Sequence, residues 1–253
     1  MSMPDFPSSG SRIVGILGGM GPRATVDFYD KLVEHTPATR DQEHLRVVIW
    51  ADPTVPSRQE ALLADGTDPT PWLEEGLHQL TGAGAEIVVV PCNTVHAYIA
   101  PLMKHRPVEF LSIIDVTVAA IQRQQAQRVG ILATDGALAA GVFQQALRRA
   151  GIAWILPSPD DQRGLMNLVE SVKAGRVDGS HLGQLAGILR HLRRDGATLT
   201  ITGCTEISAL ASSLPTEVGA ELIDPSLELA LATIHRARLP SEAEIPPEKT
   251  ETR

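Results

Sequence analysis

Cysteine is scarce in this chain, with two residues in 253. Two thiols do not make a disulfide framework, so the chain reads as a protein of a reducing compartment, the cytoplasm. Long apolar runs are missing too: no stretch approaches the ~18 to 20 consecutive residues that a membrane helix needs. Nor is there a basic run, and the formal net charge is −8, which leaves no electrostatic footprint for DNA or RNA. An acidic protein that binds an anionic small molecule must then supply local cations at the site. Residues 1–11 have no basic segment ahead of an apolar core; being Pro-, Ser- and Gly-rich, they are expected to form a disordered leader rather than a signal peptide. The Pro- and Glu-rich stretch 240–253 is likewise expected to be disordered.

What is present is enough for a sizeable core, with 43% hydrophobic and 21% charged residues. Short apolar runs at Val14 to Leu17, Val47 to Trp50, Ile87 to Val90, Val129 to Leu132 and Leu199 to Thr202 read as strands buried on both faces. Between them Ala24 to His35, Trp72 to Thr81, Gly141 to Ala150 and Leu182 to Arg194 have helical composition. This alternation predicts an α/β protein with parallel sheets.

The pattern occurs twice. Val14-Gly15-Ile16-Leu17 recurs as Val129-Gly130-Ile131-Leu132. Gly84-Ala85, an apolar strand, then Cys92 and Thr94 recurs as Gly196-Ala197, an apolar strand, then Cys204 and Thr205. The landmarks keep their order and nearly their separation. We therefore expect two similar α/β domains related by a pseudo-twofold axis. The first spans 12–115 and carries Cys92, with a C-terminal helix at about 225–238 returning to it; the second spans 116–224 and carries Cys204. The alternative is one long doubly wound sheet. Ligands of open α/β sheets bind at the carboxyl ends of the strands, where both cysteines fall.

Two thiols facing each other across one cleft suit proton transfer at a carbon, one acting as thiolate and the other as thiol. A thiol of reference pKa ~8.5 is lowered by helix N-termini or nearby cations. Both cysteines precede helix-like stretches, so both are expected at helix N-termini. A redox pair and two inert buried cysteines remain open on the residues alone.

Gly15-Ile16-Leu17-Gly18-Gly19-Met20-Gly21-Pro22, Pro91-Cys92-Asn93-Thr94-Val95-His96 and Gly203-Cys204-Thr205-Glu206-Ile207 resemble the signature motifs of the aspartate/glutamate racemase family. Arg40-Asp41-Gln42-Glu43-His44 and Val55-Pro56-Ser57-Arg58 resemble members that act on aspartate. The resemblance runs from about residue 12 to 236. It implies two pseudo-symmetric α/β domains with the active site between them, a homodimer, and no pyridoxal phosphate or metal. It makes Cys92 and Cys204 the proton donor and acceptor, with roles that exchange with the hand of the substrate. Met20, Asn93, Thr94, Thr134 and Thr205 would then contact a small acidic amino acid, with Arg58 and Lys173 as the local cations. Arg grips a carboxylate bidentately, whereas Lys acts as a point charge.

His96, four residues after Cys92, is a supporting candidate, as is Glu206 beside Cys204; ordinary packing or capping is the competing reading for each. Val95, Ser57 and Ala137 depart from the family pattern and leave the substrate open. Related enzymes such as hydantoin racemases and maleate isomerases reuse the same half-sites, and a non-catalytic amino-acid binder would carry the same polar residues. Gly19-x-Gly21-x-x-Ala24, with Asp52 ending the next strand, also fits a weak dinucleotide fingerprint.

Overall fold

The computed structural model describes residues 11–104, 106–211, 213–214 and 221–239. The segments 1–10 and 240–253, where disorder was expected, lie outside the described residues. The first half runs β1 (Val14–Gly18), α1 (Pro22–His35), β2 (Val47–Ala51), α2 (Arg58–Leu63), α3 (Thr70–Gly82), β3 (Ile87–Val89), α4 (His96–Met103) and β4 (Glu109–Leu111). After α5 (Ile113–Arg123), the second half runs β5 (Arg128–Leu132), α6 (Asp135–Ala140), α7 (Val142–Arg149), β6 (Ala153–Ile155), α8 (Pro159–Lys173), α9 (Gly179–Arg194), β7 (Leu199–Thr202), α10 (Thr205–Ala211) and β8 (Leu222–Ile223). It closes with α11 (Pro225–Ala237).

The two sheets have the same topology. The first is ordered β2-β1-β3-β4 and the second β6-β5-β7-β8. Every neighbouring pair is parallel, in register from Val14↔Val47 and Val14↔Ile87 in one sheet and from Val129↔Leu199 in the other. The expectation of two similar parallel α/β units, rather than one long sheet, is met, and each sheet has four strands. β1 and β3 are buried along their whole length, as strands covered by helices on both faces must be.

Alternate residues of these strands go to different cores. Val14, Ile16, Ile87 and Val89 join Val129, Ile131 and Ile201 of the second sheet in one cluster. Leu17, Val88 and Val90 face away and pack with Leu73, Leu77 and Leu80 of α3. The second sheet has its own outer layer, in which Leu132 meets Leu165 and Leu168 of α8 and Leu185 and Leu192 of α9.

The shared cluster is built by an exchange of helices. α5 follows the first sheet but packs on α7 and β8 of the second, while α11 follows the second sheet and packs on α1, β3 and β4 of the first. The two helices also pack on each other, contributing Ile113, Ile114, Val118 and Ile121 from α5 and Leu229, Ala230 and Ile234 from α11. A boundary between residues 115 and 116 therefore falls inside α5, whose apolar face is one continuous unit.

Candidate active site

Each cysteine stands just beyond the carboxyl end of the third strand of its half. Cys204 lies between β7 and α10, after a glycine that the packing requires: a Cβ on Gly203 would come 2.9 Å from the Phe143 ring and 3.1 Å from Leu132 O. Its carbonyl accepts the N–H groups of Ile207 and Ser208, both at 3.0 Å. Cys92 follows β3 by way of Val90 and Pro91, and its N–H donates to Val90 O at 2.8 Å. Both thiols are free and buried.

The loops at the carboxyl edges of the two sheets meet. Thr94 Oγ1 lies 3.5 Å from Thr134 Oγ1, and Thr134 caps α6 by accepting from Ala137 N–H. α2 packs against α6 so closely that a Cβ on Gly136 would come 3.0 Å from Gln59 Cα. On the first half, Met20, Val55, Cys92 and Val95 belong to one packed cluster, and Arg58 donates from Nη1 to Val55 O and Pro56 O. The glycine-rich loop after β1 packs against the end of β2: Gly19 has φ +91, and a Cβ there would lie 2.3 Å from Asp52 O.

The electrostatic settings of the thiols differ from the expectation of two helix N-termini. Cys204 does sit at the start of α10, where the Glu206 and Ile207 N–H groups favour a thiolate. Burial, followed by the Glu206 carboxylate, outweighs them and holds the thiol well above its ordinary pKa. Cys204 Sγ donates to Glu206 Oε2 at 2.9 Å, and Thr205 Oγ1 donates to the same oxygen at 3.2 Å. Cys92 is separated from α4 by the turn at 93–95.

His96 is fully enclosed and stacks on Phe110 with centroids 5.6 Å apart. Its Nε2 accepts the Ile113 N–H at 3.3 Å, so that nitrogen carries no hydrogen. The proton therefore sits on Nδ1, which donates to Cys92 O at 2.8 Å. Burial pushes the imidazole down to about 4, so it is neutral at physiological pH.

Two site atoms are buried without a hydrogen-bond partner among the described residues: Arg58 Nε, a donor, and Asn93 Oδ1, an acceptor. Arg58 also has no carboxylate partner there. Lys173 is placed differently, at the exposed end of α8, with Nζ 3.1 Å from Glu170 Oε1. Asp52 Oδ1 is taken up by Thr54 N and Oγ1 at 2.8 and 2.7 Å. Among the described residues no group of three or more His, Cys, Asp or Glu is arranged to hold a metal, and no helix is long and apolar enough to cross a membrane.

A family model described as Asp/Glu/Hydantoin racemase matches residues 17–233. The chain belongs to this family. An aspartate racemase from Picrophilus torridus is 28% identical and superposes with a TM-score of 0.78 over 89% of this chain and 94% of its own. The broad specificity amino-acid racemase RacX of Bacillus subtilis (strain 168) is 24% identical over 88% of this chain and 96% of its own. A glutamate racemase from Desulforudis audaxviator (strain MP104C) is 30% identical over 63% of this chain and 58% of its own.

On this racemase fold the sequence motifs cover both thiols and their flanking residues. They gave no sign of Ser208, Asp224 or Lys31, which form a polar chain from α10 to α1. A signal was available: His96 and Ser208 both lie four residues after a cysteine of the repeat.

Proposed function

We propose that this racemase-family chain interconverts the enantiomers of an acidic amino acid, aspartate first and glutamate next, by moving the α-proton between Cys92 and Cys204. The observation that carries the reading is the equivalence of the two cysteines: each follows the third strand of one of two sheets of identical topology, and the carboxyl-edge loops of those sheets meet. The Cys92 thiolate removes the α-proton from one face of the carbon, and the electron pair is held by the α-carboxylate. Cys204 Sγ–H delivers its proton to the opposite face, leaving a Cys204 thiolate and a Cys92 thiol. The same two steps reversed convert the other enantiomer. The raised Cys204 pKa fits a thiol that starts as the acid.

Arg58 Nε and Asn93 Oδ1 are the unsatisfied donor and acceptor available for a carboxylate and an ammonium. Thr94, Thr134 and Thr205 add hydroxyls at the loop ends, and Met20 adds an apolar wall. Lys173 would serve the second carboxylate only after leaving Glu170; an exposed pair of that kind is worth about 0 to 1 kcal/mol, a small obstacle. In this reading the reaction needs neither pyridoxal phosphate nor a metal, and the protein works as a cytoplasmic homodimer; sedimentation of the purified chain checks the dimer. In the dinucleotide alternative the acidic residue would be Asp52, whose Oδ1 accepts from Thr54 N and Oγ1.

The test is enantiomer conversion by chiral chromatography with purified protein and no added cofactor, offering aspartate, glutamate and neutral amino acids in both hands. Conversion of the acidic pair in preference to the neutral ones is expected. Equal turnover of neutral and acidic amino acids would contradict the acidic substrate, and a folded, reduced protein that converts none would contradict the reaction.

A further inference from the structure

The residue four positions after each cysteine is polar and buried: His96 after Cys92 and Ser208 after Cys204. Each makes two kinds of bond, one to its own cysteine's backbone and one to the start of an exchanged helix. His96 Nδ1–H donates to Cys92 O, and its Nε2 accepts the N–H of Ile113, the first residue of α5. Ser208's main-chain N–H donates to Cys204 O at 3.0 Å, as any residue in that first turn of α10 would, and its side-chain Oγ donates at 3.0 Å to Oδ1 of Asp224, the residue that caps α11. Thr202 Oγ1, at the end of β7, lies 2.8 Å from the same hydroxyl.

The bond beyond the brace differs between halves. Asp224 Oδ2 meets Lys31 Nζ of α1 at 2.9 Å. Burial works against that ammonium, but Asp224 and Asp27 outweigh it and keep Lys31 protonated. On the other side the Ile113 N–H belongs to the first turn of α5, where backbone donors have no partner within the helix. His96 fills that vacancy, so the Cys92 loop is braced by neutral groups and the Cys204 loop by a chain that ends in a charge.

We infer that His96 and Ser208 are the positioning residues of the two thiols, each fixing its cysteine's backbone against the helix that packs across to the other half. The inference rests on the two-thiol reading of the site. The His96 side-chain bond to the Cys92 carbonyl sets the plane of the following peptide and, with it, the direction of Cα–Cβ; at Cys204 the main-chain bond does this, and the Ser208 hydroxyl ties that turn to Asp224. α5 and α11 pack on each other, so the two braces end on one shared frame, and that frame sets the span between the sulfurs. Loss of a brace moves one sulfur relative to the substrate without removing a reacting group; a misplacement of about 1 Å can cost about a hundredfold in rate.

The experiment compares His96→Leu, His96→Asn, Ser208→Ala and Ser208→Thr with the parent chain. Two quantities are read: the rate at which iodoacetamide alkylates each cysteine of the native protein, by peptide mass spectrometry, and kcat against KM for enantiomer conversion. His96→Leu is expected to change the Cys92 rate and leave Cys204 at its parent value; Ser208→Ala is expected to do the converse. Both should lower kcat about tenfold or more with KM within about twofold. His96→Asn keeps a donor for Cys92 O, Ser208→Thr keeps the hydroxyl, and each should recover part of the loss. These two also carry the test if a larger change fails to fold. Equal changes at both cysteines from either variant would show general loosening and overturn the inference, as would unchanged alkylation and kcat. If the parent chain converts no amino acid, the proposed function fails, while the alkylation pattern still decides the bracing.

Discussion

Cys92 and Cys204 occupy equivalent places in their halves, and yet a carboxylate stands against only one of these thiols among the described hydrogen bonds. Burial is the larger cause of the raised Cys204 pKa and Glu206 the next, which orders the effects of substitution. Glu206→Gln removes the negative charge and keeps the burial. The Cys204 titration should move to lower pH and still stay above the ordinary thiol value; alkylation rate against pH, read at Cys204, measures it. An unmoved midpoint would show that Glu206 is not felt. At Arg58 the expected loss lies in binding. Hydrogen bonds to charged groups contribute about 1.5 to 3 kcal/mol, so Arg58→Ala should lower kcat/KM for an acidic substrate by about ten- to a hundredfold and do less for a neutral one.

His96 gives a stability prediction with a definite sign. Its folded pKa is about 4 against 6.5 for the free side chain, so the unfolded chain binds the extra proton between those values. Stability is fully present above pH 6.5, falls as pH drops towards 4, and loses ~3 kcal/mol over that window from this group. Urea titrations across that range should show the loss, and His96→Asn should flatten the slope even if it lowers stability overall.

At the scale of elements, the strands with continuous apolar runs were legible in the sequence to within a residue or so: Ile87–Val89 against an expected Ile87 to Val90, and Leu199–Thr202 as expected. β4, β6 and β8 were not. They span three, three and two residues, and β4 opens with Glu109, whose carboxylate pairs with Arg12 and Arg236. Such edge strands depend on their sheet rather than on a run of their own, so no local pattern marks them. Helix starts were read late where a proline begins the helix, as at Pro22 of α1. α6 is short and stands on its cap: Thr134→Ala should remove the bond to Ala137 N–H and the approach to Thr94, costing about 1 kcal/mol in chemical denaturation. No change would mean that neighbours such as α2 hold α6 without it.

For the whole molecule, the internal repeat carried the two-sheet architecture, because a duplicated unit leaves duplicated landmarks. The expectation that a helix at about 225–238 returns to the first half covers α11, but it does not include the packing of α5 and α11 on each other; that is decided by the fit of Ile113, Ile121, Leu229 and Ile234 into the shared cluster. The motifs gave both thiols and their flanking polar residues. They did not show the exposed place of Lys173 or the brace at Ser208, which depend on side-chain direction and on partners distant in sequence. One consequence of the shared cluster is cooperative unfolding. Trp50 and Trp72 report on the first half and Trp154 on the second, so variants keeping tryptophan in one half only should give coincident urea transitions. Separate midpoints would mean that the halves are independent units.

The central claim is that two different thiols handle the proton, and isotope incorporation at early conversion tests it most directly. In deuterated buffer, L-aspartate and then D-aspartate are each followed to low conversion, with the α-position of substrate and product analysed separately. Two bases predict that the product carries deuterium from the second thiol while the recovered substrate keeps its α-hydrogen. Deuterium appearing equally in substrate and product, or product that retains the original α-hydrogen, would mean that one base serves both faces, and would contradict the account.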